Sequence, residues 1–352
     1  MSGLAILPAQ AAFKGMYIFG DALSSTNGNV TGSSSYYGKR YFNGRVWVEV
    51  LAQRQGVIIS NDLAYFNHNS ATTATDVKNF TITQSNASNA LFVVWVNNSD
   101  AYNAATAGIP LTFAQWQGTN ALSQTNHFQI ITNLYAKGVR TLIMPNVVDI
   151  SEVPFFSGGT FVTNIRAGCV DYNLKFSNTI SQARAACPDL VIYVPDFFML
   201  LNNVLSNAPS YGLSNVLTGG HTIDAVNTIS PLSVTNNPGT NYIFWDDTDP
   251  SAKFHAVIAD VAQQLISPDQ ISGITALNGS NRLDVINYPA GLGGFVDVCT
   301  NLATANWTSV TNSGTTNSVT ITSTNTTQSV YVSSSGPFQF YRLHFPYAWF
   351  FP

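Results

Sequence analysis

The chain has 352 residues, 45% of them hydrophobic and 12% aromatic, enough apolar mass for a large domain of about 250 residues and a smaller one. Charged residues make up only 9%, against roughly 25% in ordinary soluble domains, so the surface is mostly amide and hydroxyl. The 14 Lys and Arg are scattered and the formal net charge is -4, which argues against nucleic acid as a partner, and no apolar run reaches the ~18 residues of a membrane span.

Residues 1–15 form an apolar opening segment. Leu4, Ile6 and Leu7 precede Ala9-Gln10-Ala11, which resembles the cleavage site of a secretory leader but lacks the positive region before it. The segment reads either as the remnant of such a leader or as a strand used in assembly. From 16 to 267, apolar runs alternate with helical patterns, the signature of a three-layer α/β/α domain with a parallel sheet. The runs Gly15 to Phe19, Ala90 to Val96, Thr141 to Pro145 and Leu190 to Pro195 are nearly all apolar, as strands covered on both faces are. The periodicity between them predicts helices over Val46 to Gln55, His127 to Lys137, Asn164 to Ala186 and Ala252 to Ile266.

From 268 to 352 the texture changes to short alternating segments such as Ser318 to Thr322 and Gln328 to Val332, which predict a small all-β sandwich. Its last strand, Phe338 to Leu343, leads into a tail where Phe345, Tyr347, Trp349, Phe350 and Phe351 place five aromatics in seven residues. Such a tail must dock on its own domain or on a neighbour. The cysteines Cys169, Cys187 and Cys299 have neither metal-ligand spacing nor an even disulfide framework. On one helix, 18 residues of rise would hold Cys169 and Cys187 about 27 Å apart, so buried free thiols are expected.

The segment Tyr17-Ile18-Phe19-Gly20-Asp21-Ala22-Leu23-Ser24 resembles the opening Gly-Asp-Ser-Leu motif of the GDSL/SGNH hydrolases. Further stretches are similar to that family's secreted bacterial members: Tyr36 to Glu49, Leu142 to Asp149, Val194-Pro195-Asp196 and Asn207 to Asn215. The resemblance spans roughly 16 to 267 and implies an acyl-transfer scaffold with a serine nucleophile, a histidine base and an oxyanion hole. The catalytic groups themselves depart from it. Ala22 stands at the nucleophile position, and Tyr65-Phe66-Asn67-His68 has Asn67 in place of a glycine. Ser99 replaces the asparagine of the third motif, and the closing Asp-x-x-His reads Asp246-Asp247-Thr248-Asp249, so that Asp249 replaces the base and only Asp246 keeps its identity. A methyl group cannot attack a carbonyl.

These departures imply a pseudoenzyme with no catalytic residues, no cofactor and no resident metal. An ordinary carboxylate, with a pKa of about 4, is a poor base at neutral pH, which argues against Asp249 as a substitute. A cation held by Asp21, Asp246 and Asp249 is the less favoured alternative to helix capping. His255 is expected to be structural, His68 is the best remaining candidate for chemistry, and His127, His221 and His344 show no partner pattern. The leading functional expectation is an extracellular, secreted or cell-surface, structural protein that self-associates through its terminal segments, with filaments as one form of the assembly. The alternatives are a carbohydrate binder stacking sugars on Trp95, Trp245 or Trp307, and a weak residual esterase. Acceptor sequons for glycans occur at Asn29, Asn79, Asn86, Asn97, Asn278, Asn306 and Asn325.

Overall fold

The computed structural model describes residues 13–29, 34–107, 111–229, 241–288, 294–310, 320–321, 327–334 and 338–344. The candidate assembly residues Leu4, Ile6 and Leu7, and Phe345, Tyr347, Trp349, Phe350 and Phe351, lie outside them, as does the sequon residue Asn325.

Five strands form a parallel sheet: β1 Met16–Gly20, β2 Ile59–Ala64, β3 Leu91–Trp95, β4 Thr141–Ile143 and β5 Val191–Tyr193, in the order β2-β1-β3-β4-β5. Both neighbours of β1 are parallel to it, so Gly20 lies opposite Ala64 on one side and Trp95 on the other. Every residue of β3 is buried, which explains its unbroken apolar run. Flanking helices cover the sheet: Trp47–Gln55 packs on Ala252–Ile266, and Phe113–Ala136 packs on Ser70–Asn79 and on Val162–Ala186. That last contact is close, because a Cβ on Gly168 would come within 2.4 Å of the Trp116 ring.

The three-layer α/β architecture agrees with the sequence reading, with differences in detail. The helix expected from His127 begins at Phe113, opened by a capping box in which the Thr112 side chain accepts from Gln115 N and Gln115 answers to Thr112 N. Strand β2 and the helices Ser70–Asn79, Asn97–Ala105 and Phe197–Asn207 were not anticipated. β2 and the first two of these helices carry many polar residues, whereas Phe197–Asn207 buries Phe197, Leu200, Leu201 and Val204 at regular helical spacing. Cys169 lies within the Val162–Ala186 helix and Cys187 caps its end; with Cys299 they are buried free thiols.

Beyond the Ala252–Ile266 helix the regular elements among the described residues are all β. One antiparallel sheet pairs Ser280–Ile286 with Gln270–Leu277 and Thr327–Ser333, and another pairs Gly294–Cys299 with Thr308–Ser309, Thr320–Ile321 and Phe340–His344. Leu283, Val285, Tyr288, Val296, Val310, Val330 and Val332 form a second apolar core.

Candidate functional site

The site lies beyond the carboxyl ends of the first three strands, where parallel sheets place their ligands. Main-chain bonds anchor its loops: Asp21 N donates to Trp95 O at 3.2 Å and Tyr65 N to Gly20 O at 3.1 Å. The crossing is tight enough that Gly20 can carry no side chain, since a Cβ there would stand 2.9 Å from Trp95 O. Behind β1 the chain makes a short turn of 3-10 helix, Ala22–Ser24, capped by Asp21, whose Oδ1 accepts from Leu23 N at 3.0 Å. Ser24 is held from beneath, because Trp47 Nε1 donates to its Oγ at 3.1 Å.

Asn67 has φ 65°, a left-handed backbone that favours glycine and that asparagine tolerates better than most residues. The special conformation is therefore present although the glycine is absent. Ser99, in the first turn of the Asn97–Ala105 helix, donates from Oγ to Asp21 Oδ2 at 3.2 Å. The Asp246 to Asp249 turn folds around its first side chain: Asp246 Oδ1 accepts from Thr248 N at 3.1 Å and Asp249 N at 2.8 Å, while Oδ2 accepts from Tyr36 Oη at 3.0 Å.

These segments enclose a cavity of about 350 Å³, and its wall includes Ala22, Asn67, Ser99, Asp246 and Asp249 together. Tyr41, Phe66, Tyr102 and Phe156 supply aromatic wall, and Asp21, Asn98 and Asp247 supply further polar groups. Of these, the sequence had singled out only Asp21.

Burial dominates the electrostatics. It pushes the Asp21 carboxyl up to about 7, against the opposing bonds from Leu23 N and Ser99. Burial likewise raises Asp246 to about 6 despite its two backbone donors and Tyr36. Asp249 is raised well above the carboxylate range, first by burial and then by the charges of Asp246, Asp21 and Asp247. This corrects the argument that Asp249 is an ordinary carboxylate: burial and its acidic neighbours favour the protonated form over the charged one. Burial also raises the Tyr36 phenol, with Asp246 next in effect.

The structure also places the other residues singled out in the sequence, and corrects several of the expectations. His68 does not line the cavity; its Nδ1 lies 3.3 Å from Asp76 Oδ2. His127, expected to have no partner, stands with Nε2 2.8 Å from Tyr172 Oη, whose hydroxyl donates to Asp100 Oδ2 at 2.8 Å. His255 Nδ1 accepts from Trp47 N at 3.2 Å, and complete burial lowers its pKa to about 3, so it serves as a neutral structural acceptor. Trp95 and Trp245 are fully buried and offer no face to a sugar, and Trp307 carries the Arg342 guanidinium 4.6 Å above its ring. Asn29 and Asn97 are buried, with their amides bonded to Arg40 O and Pro145 O, which removes them as glycan acceptors. Asn79, Asn86, Asn278 and Asn306 are exposed. Among the described residues no group of three or more His, Cys, Asp or Glu is arranged to hold a metal, and no helix is long and apolar enough to cross a membrane.

The sequence pattern of the GDSL-like lipase/acylhydrolase family matches residues 16–262. The chain belongs to that family. Two GDSL esterase/lipases of Arabidopsis thaliana are similar to it, one 28% identical over 37% of this chain and 40% of its own length, the other 24% identical over 49% of each. The chain thus spans less than half the length of these curated relatives. Among solved structures, a gut microbial diltiazem-metabolizing enzyme is 10% identical with a TM-score of 0.46, over 81% of this chain and 59% of that one. Phospholipase A1 from Streptomyces albidoflavus is 12% identical with a TM-score of 0.42, over 72% of this chain and 100% of that one.

Proposed function

We propose that this GDSL-family chain does not perform acyl transfer and that its cavity binds a small ligand without cleaving it. The observation that carries the reading is the joint presence of the Ala22 methyl group and the Asp249 carboxyl in one cavity wall. These are the positions where the family motif provides a hydroxyl to attack and an imidazole to take its proton. A carboxyl can replace that imidazole only in its charged form, and burial together with the neighbouring carboxyls disfavours that form at Asp249. The cavity itself has not collapsed: its volume falls within the ~300–1,000 Å³ typical of small-molecule sites.

The test is a fluorophosphonate probe together with p-nitrophenyl ester hydrolysis. The expected result is no covalent adduct and no turnover above buffer. An adduct on any cavity side chain, or hydrolysis that disappears in Asp249→Asn, overturns the reading.

Self-association in an extracellular setting is a second reading, supported by the 9% charged residues, which leave little like-charge repulsion between copies. Light scattering on the full chain and on a chain lacking residues 1–12 or 345–352 tests it. A monodisperse monomer in every case removes it.

A further inference from the structure

Resting on the reading of the cavity as a non-cleaving binding site, we propose that its ligand is an organic cation, a primary or secondary amine carried on an aromatic or apolar body.

Four carboxyls, those of Asp21, Asp246, Asp247 and Asp249, stand in the wall, and no Lys, Arg or His stands among the lining residues. Asp249 is nine-tenths buried, and among the described residues no N–H or O–H donor reaches its carboxyl; what it meets is the carboxyl of Asp246. Two facing acids hold together either by sharing a proton or by admitting a positive charge beside them. An ammonium group supplies N–H donors and charge at once.

Asn98, 7% exposed and part of the cavity wall, accepts from Val148 N through Oδ1, while its amide nitrogen is closed off from the cavity. The remaining wall suits the body of such a molecule: the Tyr41 and Phe66 rings lie 5.3 Å apart and those of Tyr102 and Phe156 lie 5.6 Å apart. Aromatic faces attract organic cations as well as apolar groups.

An amine would bind together with proton release. In the free protein the carboxyls are held partly protonated by burial, and an ammonium favours their ionised forms. The phenols facing them, Tyr36, Tyr41 and Tyr102, are shifted upward and stay neutral, so the carboxyls are the groups that titrate. Affinity for an amine therefore rises with pH through the neutral range.

The experiment is isothermal titration calorimetry of the full chain with 2-phenylethylamine, its neutral analogue 2-phenylethanol, and phenylacetate. Each titration is repeated in phosphate and in MOPS, which has no primary or secondary amine and a different ionisation heat. The amine is expected to bind at least about tenfold more tightly than the alcohol, with protons released, and phenylacetate is expected not to bind. The amine affinity is expected to rise about tenfold between about pH 5.5 and 7.5. In Asp249→Asn the preference for the amine should vanish while binding of the alcohol persists, which shows an intact cavity. Equal affinity for amine and alcohol, tighter binding of phenylacetate, or an unchanged amine preference in Asp249→Asn overturns the proposal. Ester turnover, by contrast, would defeat the non-cleaving reading without touching these binding results. Absence of turnover with no amine preference would defeat the cation alone.

Discussion

Asp100 and Asp249 are the same residue type at nearly the same burial, and their carboxyls are displaced in opposite directions. Burial pushes Asp100 upward, but its partners outweigh that push and hold the carboxyl below its ordinary value. The His127 imidazole lies at 3.7 Å, Ser70 N donates at 3.0 Å and the Tyr172 hydroxyl at 2.8 Å. Around Asp249 burial acts in the same sense and the neighbouring carboxyls add to it. Donors, not depth, decide the sign. A buried acid surrounded by donors contributes to the fold, whereas one facing other acids in an open cavity costs stability and is explained by what enters that cavity.

The largest expected effect breaks the satisfied side of this comparison. Asp100→Ala leaves the Tyr172 hydroxyl and Ser70 N without their acceptor beside an enclosed imidazole, and should cost about 3–5 kcal/mol. Urea denaturation measures it. A loss under about 1 kcal/mol would mean that the network does not hold the Ser70–Asn79 and Asn97–Ala105 helices together.

On the cavity side the sign reverses. The folded-state pKa values of Asp21, Asp246 and Asp249 all lie above the unfolded value, so the folded protein binds more protons over that interval. Stability from these groups is fully present below about pH 4 and is lost as pH rises through about 6 to 7 and beyond. Asp249→Asn should therefore stabilise the chain by on the order of 1–3 kcal/mol near pH 8, and by much less near pH 4.5. Thermal melts of both proteins at the two pH values check this, and an equal or opposite gain at low pH contradicts the assignment. At equal concentration the amine should raise the melting temperature of the natural chain at pH 8 by more than 2-phenylethanol does, and that of the variant by no more.

How much of this contrast could be read from the sequence differs between its halves. The cavity residues were legible because three of them, Ala22, Asn67 and Ser99, follow the ends of β1, β2 and β3 within motifs of recognisable spacing, and the 246–249 turn carries its own motif. The Asp100 network was not legible. Its members lie 45 and 72 positions apart in sequence, and only the packing of the Phe113–Ala136 and Val162–Ala186 helices brings His127 to Tyr172. The strands β1, β3, β4 and β5 were visible as apolar runs, whereas β2, Ile59-Ser60-Asn61-Asp62-Leu63-Ala64, sits at the sheet edge with half-exposed residues and loses that signal. The Asn97–Ala105 helix has no apolar period to read, because Asn97, Asn98 and Asp100 face inward. The perturbed acidity of Asp249 was hidden although its grouping with Asp21 and Asp246 was among the alternatives, since burial is a property of the fold and not of the motif.

The smallest expected effect concerns the backbone on the cavity side. Asn67 is exposed, so substitutions there act mainly through its φ of 65°. Asn67→Gly relieves the left-handed strain but loosens the unfolded chain, and the two nearly cancel, leaving a change within about 0.5 kcal/mol. Asn67→Val keeps the burden of a branched Cβ in that region and should cost about 1–2 kcal/mol. Equal stability of the two variants in urea would show that the loop rearranges on substitution. If instead they differ as expected, the surroundings hold the loop after β2 in its left-handed turn against a strained side chain, and the backbone of this part of the cavity wall is set by its packing and not by the residue at 67.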